Sequence, residues 1–431
     1  MKKSKLFLTV LLCLTALSLI SCTSPVASSV TSGTDTGTSV TSGTETSGTG
    51  TTTTPATPSV TLSSIAVSGS LASTLYYVGD RLNTSGLTVT ATYSDGSTKT
   101  VTNFTTSGFS SENVSLGQTI TISYTEGSVT KTATVNGTFY VAAAGAKPTE
   151  SLVLLSDYTG TLTGGTYYKF GDFPQTISAL TGDGAYTAEP VYRGWYLGSD
   201  GYFYAKCTEN SFDSSYTYSN GTTVAQSSAN SQKYFKVEPI VWRVLNPSDS
   251  GNKILLAESI LTAHRFDDDS NNYKDSEIRS YLNNGFIDTA FTNTAQDQIA
   301  TTSVDNSAES TKDAGNILPP ATTYACDNTE DKIFLLSEKE STTTDYGFTA
   351  CNEYGIGNSR IRVTTDYAKA NYAIQGTEDG YDGGKWWLRS PVYVSSNTVC
   401  VIDSDGNAMF SSFNEYELIG VVPALSISIG N

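Results

Sequence analysis

Leu87-Thr88-Val89-Thr90-Ala91-Thr92-Tyr93-Ser94-Asp95-Gly96-Ser97-Thr98-Lys99-Thr100-Val101 decides how the first folded part of this chain is read. Leu87, Val89, Ala91 and Tyr93 alternate with threonine, which is the period of a strand with one buried face. Ser94-Asp95-Gly96-Ser97 then supplies a tight hairpin turn before a second strand starts at Thr98. Further on, Ile120, Ile122 and Tyr124 alternate in the same way, Glu126-Gly127 turns the chain, and Val129, Ala133 and Val135 mark a last strand. Several two-faced strands within residues 61–141 predict an all-β sandwich.

Three landmarks in that segment, Tyr77-Val78-Gly79-Asp80, Gly86 to Ser97 and Gly117 to Tyr124, carry a family likeness. The segment resembles a bacterial immunoglobulin-like domain. In surface proteins such domains serve as spacers or adhesive modules, and the resemblance implies a spacer here.

Outward from the sandwich toward the N-terminus, residues 22–60 are mostly Thr, Ser and Gly, with Val30 to Thr36 repeated imperfectly as Val40 to Thr46. Such a composition cannot bury a core, so it predicts a flexible tether. A flexible coil of this length has a reach of roughly 35 Å. Before it, Lys2, Lys3 and Lys5 precede an apolar run from Leu6 to Leu19, and Ser21 stands next to Cys22. Positive start, short apolar stretch and small residue make a secretory signal peptide. With cysteine just after the cut, residues 1–21 read as a bacterial lipoprotein signal and Cys22 as the lipidated, palmitate-bearing first residue. The expected location is the bacterial cell envelope, at the outer membrane or cell surface.

The 431-residue chain has a formal charge of −17, and loss of Lys2, Lys3 and Lys5 with the signal takes it to −20. Nucleic acid is met by clustered Lys and Arg, so a chain this acidic is not expected to bind it. It would also repel an anionic bilayer, which leaves the lipid as its hold on the membrane. Cys207, Cys326, Cys351 and Cys400 remain in the exported chain. Four cysteines allow three connectivities, and free buried thiols are the other reading.

Residues 142–150 read as a linker, and residues 151–431 as a larger α+β domain. Gly194 to Cys207 predicts a hairpin about Ser199-Asp200-Gly201, and residues 234–245 an apolar strand partnered by Lys253 to Leu261. Ser276 caps a helix bearing Ile278 and Leu282, Thr294 a second one, and Ser337 to Glu340 has capping-box spacing. Thr365 to Tyr372 predicts a short helix, and strands return from Lys385 to Leu425.

Six landmarks run in order through this domain: Phe170-Gly171-Asp172-Phe173-Pro174-Gln175, Pro239 to Leu245, Ile278 to Asn283, Lys332 to Ser337, Trp386-Trp387-Leu388-Arg389-Ser390-Pro391 and Gly420 to Leu425. They resemble an uncharacterised bacterial family of exported and surface proteins, the domain of unknown function 6273 family. The Trp-Leu-Arg-Ser-Pro stretch and closing Gly-Val-Val-Pro strand also resemble the end of C-type-lectin-like and sulfatase-modifying-factor-like domains. That second likeness implies a mixed scaffold that presents variable binding loops.

Chemistry-bearing motifs are few. His264 is the only histidine, without Gly-x-Ser-x-Gly or His-Glu-x-x-His, and reads as a loop histidine at a strand end. Formylglycine-generating oxidases, which share the suspected architecture, need a cysteine pair near the final strand; Val421 and Val422 hold no cysteine there. Asp267, Asp269 and Asn271 offer oxygens at alternate positions and are the calcium candidates, although Asn272 and Ile278 stand where a calcium hand has Gly and Glu. The alternative is a solvated loop. Trp387 and Trp195 are the ligand-contact candidates, and strand alternation places Trp387 on the face opposite Trp386. The hairpin aromatics Tyr196, Tyr202 and Tyr204 join them as possible contacts. No catalytic residue, metal or cofactor is expected. The function expected is a lipid-anchored binding or adhesion module for a glycan or protein ligand. A structural envelope protein is the alternative, and an enzyme the third reading.

Overall fold

The structure is a computed structural model that describes residues 59–209, 215–225, 231–249, 251–313, 319–349, 358–373, 376, 383–412 and 418–429. The signal sequence, Cys22, the tether as far as residue 58 and Cys351 lie outside the described residues. Residues 59–431 form one compact unit.

The first part of that unit is a β-sandwich of nine short strands: β1 (Leu62–Gly69), β2 (Leu75–Tyr77), β3 (Leu87–Tyr93), β4 (Thr98–Val101), β5 (Thr105–Ser107), β6 (Ser115–Gln118), β7 (Thr121–Glu126), β8 (Val129–Thr134) and β9 (Phe139–Ala142). They pair as β1-β3-β4, β2-β9-β6 and β5-β7-β8, with β2 and β9 parallel. Alternation does what the sequence predicts. Val89 and Ala91 of β3, Ile122 and Tyr124 of β7 and Phe139 of β9 share one buried core, while the intervening threonines face outward or lie half-buried.

The second part is mixed. It opens with β10 (Val153–Leu154), β11 (Tyr167–Ile177), β12 (Tyr196–Leu197), β13 (Phe203–Glu209), a small hairpin of β14 (Tyr216–Thr217) and β15 (Thr223–Val224), and β16 (Ser231–Val244). Next come β17 (Lys253–Ala257), β18 (Ser259–Ile260), β19 (Thr262–His264), α1 (Glu277–Tyr281), α2 (Ile287–Ala290), α3 (Asn293–Gln296), β20 (Ile299–Ala300) and β21 (Thr302–Val304). Then follow β22 (Thr329–Asp331), β23 (Ile333–Phe334), α4 (Glu338–Thr342), β24 (Val363–Thr364) and α5 (Asp366–Ala370). The chain closes with β25 (Trp386–Pro391), β26 (Thr398–Ile402), β27 (Ala408–Ser412), β28 (Ile419–Val421) and β29 (Ala424–Ile427).

Two sheets carry this domain. In the larger, the order β10-β11-β16-β17-β29-β20 is joined by β13 beside β16, β12 beside β13 and β23 beside β29. The smaller runs β19-β28-β25-β26-β27. Side chains from both, including Trp242, Leu255, Trp386, Val401 and Leu425, merge into one core with Ile278, Leu282 and Phe286 from the helical segment. Ser276, Ser337 and Thr365 cap α1, α4 and α5, and Ser337 and Glu340 form the reciprocal capping box. The α3 cap is Thr292, whose hydroxyl accepts from the Ala295 amide, and the expected Thr294 lies inside the helix.

β11 runs further than its first apolar residues imply, through Gly171 and Pro174, because irregular pairing with β16 on either side of Asp172-Phe173-Pro174 absorbs both residues. Gly171 has φ +68°, and a Cβ there would lie 2.5 Å from the Phe291 ring.

Residues 142–150 do more than connect. Ala144–Ala146 form one 3-10 turn, Ala142 and Ala146 pack with Trp195, Leu197 and Phe203, and the Ala143 amide donates to the Gly201 carbonyl at 2.9 Å. Leu75, Tyr77, Leu116 and Tyr140 of the sandwich join the same cluster. Lys147 pairs with Asp80 at 3.2 Å and lies over the Tyr77 ring. The segment is thus sealed between the two parts by apolar contacts on both sides.

Candidate functional site

β13 and β16 pair antiparallel with Tyr204 opposite Lys236, Lys206 opposite Tyr234 and Thr208 opposite Gln232. Directly opposite residues project to the same face, so these six side chains share one side of the sheet. β12 adds Tyr196 next to Tyr204, and β11 adds Thr176 next to Lys236. The other face carries Leu197, Phe203 and Phe235, all buried. This division follows from the sequence Tyr234-Phe235-Lys236, in which one apolar residue sits between two amphipathic ones.

On the outer face Tyr234 stacks on Tyr186 with ring centres 3.8 Å apart, and Tyr196 meets it edge-on at 5.4 Å. Lys206 lies over both Tyr196 and Tyr234, at 5.9 and 5.8 Å. Lys236 sits 3.7 Å from the Tyr202 ring centre. These are cation–π contacts of a kind that hold the ammonium near a ring while leaving its N–H groups to other acceptors. Among the described residues neither lysine has a carboxylate within ion-pair distance. Tyr204 is tied down by its hydroxyl bond to Asp200 at 2.7 Å. Tyr196, Tyr202 and Tyr234 are half-buried, so each keeps part of a ring open to solvent.

The face ends in a recess of about 120 Å³ where the second part meets the connecting segment. Its walls include Gly145, Pro148, Tyr192, Trp195, Tyr202, Phe203 and Val237, and its polar groups come from Lys147, Asp172, Lys236 and Glu238. Asp172 is buried and accepts from the Thr149 amide and hydroxyl, each at 2.8 Å. Burial raises its pKa, against those two bonds that favour the charged form. Glu238 accepts from the Thr176 hydroxyl at 2.6 Å. Trp195 reaches the recess from a tight turn in which Arg193 and Gly194 both have positive φ, at +49° and +80°. The Arg193 guanidinium lies 5.1 Å from the Trp195 ring and donates to the Phe291 carbonyl, which fixes the indole.

The other sequence candidates are placed elsewhere. Trp387 is fully buried, and so is Trp386; both faces of β25 are covered, and the Trp387 indole N–H donates to the His264 carbonyl at 2.8 Å. The expectation that Trp387 offers a contact surface is therefore corrected. Trp195 is itself buried but remains in the recess wall. Asp267 is buried and accepts from the Ser270 hydroxyl, Asp269 is exposed, and the Asn271 amide donates to the carbonyls of Ser395 and Thr398. Among the described residues no group of three or more His, Cys, Asp or Glu side chains is placed to share a metal ion.

Cys207, Cys326 and Cys400 are free thiols, which corrects any pairing of these three with one another. Burial pushes all three thiols up in pKa, away from the thiolate that nucleophilic chemistry uses. His264 ends β19, stacks on Tyr281 at 4.4 Å and is held below its usual pKa by burial. Sequence reading named Trp195, Tyr196, Tyr202 and Tyr204 but missed Tyr186, Tyr234, Lys206 and Lys236, which reach the same face only through the β13–β16 register. The alternation Tyr234-Phe235-Lys236 was the available signal.

Comparison with known families places two segments of the chain. Residues 70–136 match the family described as Bacterial Ig-like domain (group 3), which agrees with the sandwich. Residues 250–429 match the family described as Domain of unknown function (DUF6273), which covers the chain from just before β17 to its last strand. No curated protein matches the chain. The tyrosine and lysine face, on residues 186–236, lies between the two matched segments. Its sandwich and its later mixed domain identify the chain as a bacterial Ig-like domain of group 3 followed by a DUF6273 domain.

Proposed function

We propose that this is a lipid-anchored cell-envelope protein whose later domain is displayed on the tether and Ig-like sandwich as a non-catalytic module that binds glycan. One observation supports this reading most directly: Tyr196, Tyr202 and Tyr234 share a sheet face with Lys206 and Lys236, and neither lysine is neutralised by a carboxylate among the described residues. Sugar rings have an apolar side that stacks on aromatic rings and a rim of hydroxyls that accept from ammonium groups and donate to carboxylates. The Cys22 lipid, the envelope location and a C-type-lectin-like scaffold belong to the same proposal. In this arrangement the lipid holds the chain to the bilayer and the tether carries the face clear of it.

The experiment is a glycan array probed with the full chain and with the Tyr196→Ala/Tyr234→Ala double variant. Saccharide binding that the double variant loses at unchanged fold supports the reading. Binding that survives in the variant removes the face from it, and no saccharide binding at all sinks it in favour of a protein ligand or a purely structural role. Detergent phase partition of the Cys22→Ser variant, expected to move from detergent to water, tests the anchor.

A further inference from the structure

The recess and the face are one continuous surface, because Tyr202, Lys236 and Glu238 belong to both. Resting on the glycan reading above, we infer that the recess is the end subsite of the face and takes a single terminal pyranose unit. Its volume of about 120 Å³ admits one small ring and falls below the roughly 300–1,000 Å³ of pockets that enclose a whole drug-sized ligand. The remainder of the glycan then runs out over Tyr202 toward Tyr234 and Tyr196.

The chemistry of the walls fits a neutral sugar better than a charged group. Tyr202, Trp195 and Phe203 supply aromatic surface, and the polar atoms are of both kinds, carboxylates from Asp172 and Glu238 and the ammonium of Lys236. A carboxylate accepts about four hydrogen bonds. The structure fills two on Asp172 and one on Glu238, which leaves acceptors for hydroxyl protons. An incoming cation would meet Lys236 already over Tyr202, and an incoming anion would meet the two carboxylates. A hydroxyl-bearing ring suits both sets at once.

The far wall is Gly145 to Pro148, the segment that leaves the Ig-like sandwich. The sandwich therefore completes the site as well as displaying it. This also explains why Ala142, Tyr77 and Tyr140 are packed against Trp195 and Phe203: the junction must hold its shape for the recess to exist.

Competition with monosaccharides tests the subsite. Glucose, galactose, mannose and N-acetylglucosamine are titrated against the best array glycan bound to the full chain, in the wild type and in Gly145→Val. A Cβ at position 145 would stand 3.3 Å from the Tyr202 hydroxyl, so the valine methyls narrow the recess without touching Tyr196 or Tyr234. At least one monosaccharide is expected to compete with wild type, and its inhibition constant to weaken about tenfold or more in Gly145→Val, while the long glycan still binds through the face. Should Gly145→Val not fold, Val237→Leu narrows the opposite wall and carries the same expectation. If the long glycan binds but no monosaccharide competes, or if competition is unchanged in the variant, the end subsite is overturned and the glycan reading stands. If no saccharide binds at all, both fall together.

Discussion

Two aromatic stretches look alike in the sequence and behave as opposites in the fold. Trp386-Trp387 lies on β25, between β28 and β26, and each indole N–H is spent on a backbone carbonyl, Arg360 for Trp386 and His264 for Trp387. Tyr196, Tyr202 and Tyr234 lie on strands with one covered face, and their rings meet each other and two lysines at the surface. The difference is in the neighbours along the strand. On β25 the residues flanking the tryptophans are buried without alternation, as on a strand covered on both sides. On β13 and β16, Lys206, Thr208, Gln232 and Lys236 punctuate the aromatics, so one face stays wet. An aromatic residue is a candidate contact when the residues two positions away on its strand are polar.

The largest effect that would break this comparison is at Trp387. Replacing a fully buried indole by alanine leaves a cavity and an unpaired His264 carbonyl, and Trp387→Ala is expected to cost about 3–5 kcal/mol in urea unfolding. A cost below 1 kcal/mol would mean that β25 is not core.

The next effect, of about 3 kcal/mol at most, also belongs to the buried side. The Glu338 amide donates to the Ser390 hydroxyl of β25, and its carboxyl is fully buried near Cys400 and Asp313. Burial first, then the Asp313 charge, raise its pKa from 4.5 to about 7. A group whose folded pKa is raised supports the fold fully below its unfolded pKa, and that support is lost as pH rises through the folded value. Wild type should thus lose stability through Glu338 between pH 4.5 and about 7, by an amount set by 1.36 kcal/mol per pKa unit. Glu338→Gln lacks this slope, so its stability relative to wild type should rise from pH 5 to pH 8 in denaturant melts. A flat difference would place the carboxyl in contact with water.

How much of this was legible depends on how local the cause is. The sandwich hairpin at Ser94 to Ser97 and the caps at Ser276, Ser337 and Thr365 are set by residues within a few positions of one another, and they were readable. The assignment of Trp387 to an open face failed because alternation gives the side of a strand and says nothing about what covers it. The recess was out of reach for another reason. Gly145, Asp172, Trp195, Tyr202 and Lys236 come from five separate stretches, brought together by the register of three strands and a docked connecting segment. Nothing near any one of them in sequence announces the others.

That docking gives the third prediction. Gly201 has φ +83°, and a Cβ would lie 2.5 Å from Val114 of the sandwich and 2.8 Å from the Ala143 amide nitrogen. Gly201→Ala combines left-handed backbone strain with overpacking against backbone, each worth about 1–3 kcal/mol, and the partial relief open to Val114 keeps the total near the lower end. The expected result is a small loss of stability with faster proteolysis within residues 142–150. Unchanged proteolysis there would mean that the hairpin tip does not hold the junction.

The smallest effect sharpens the comparison most. If the tyrosine face is a contact surface, its rings should matter little to folding. Tyr196→Ala should cost only about 0.5–1.5 kcal/mol, the value of one edge-to-face ring contact, since the strand register and the buried Leu197 beside it are untouched. A double-mutant cycle with Tyr234→Ala isolates that contact from the rest of each side chain. Stacking on Tyr186 gives Tyr234 the larger single cost of the two, while the coupling between Tyr196 and Tyr234 should stay below about 1.5 kcal/mol. A coupling of several kcal/mol would show that the rings hold the sheet together as Trp386 and Trp387 do, and the distinction between the two aromatic stretches would collapse. A small coupling leaves the rings on the surface with no folding task large enough to account for them.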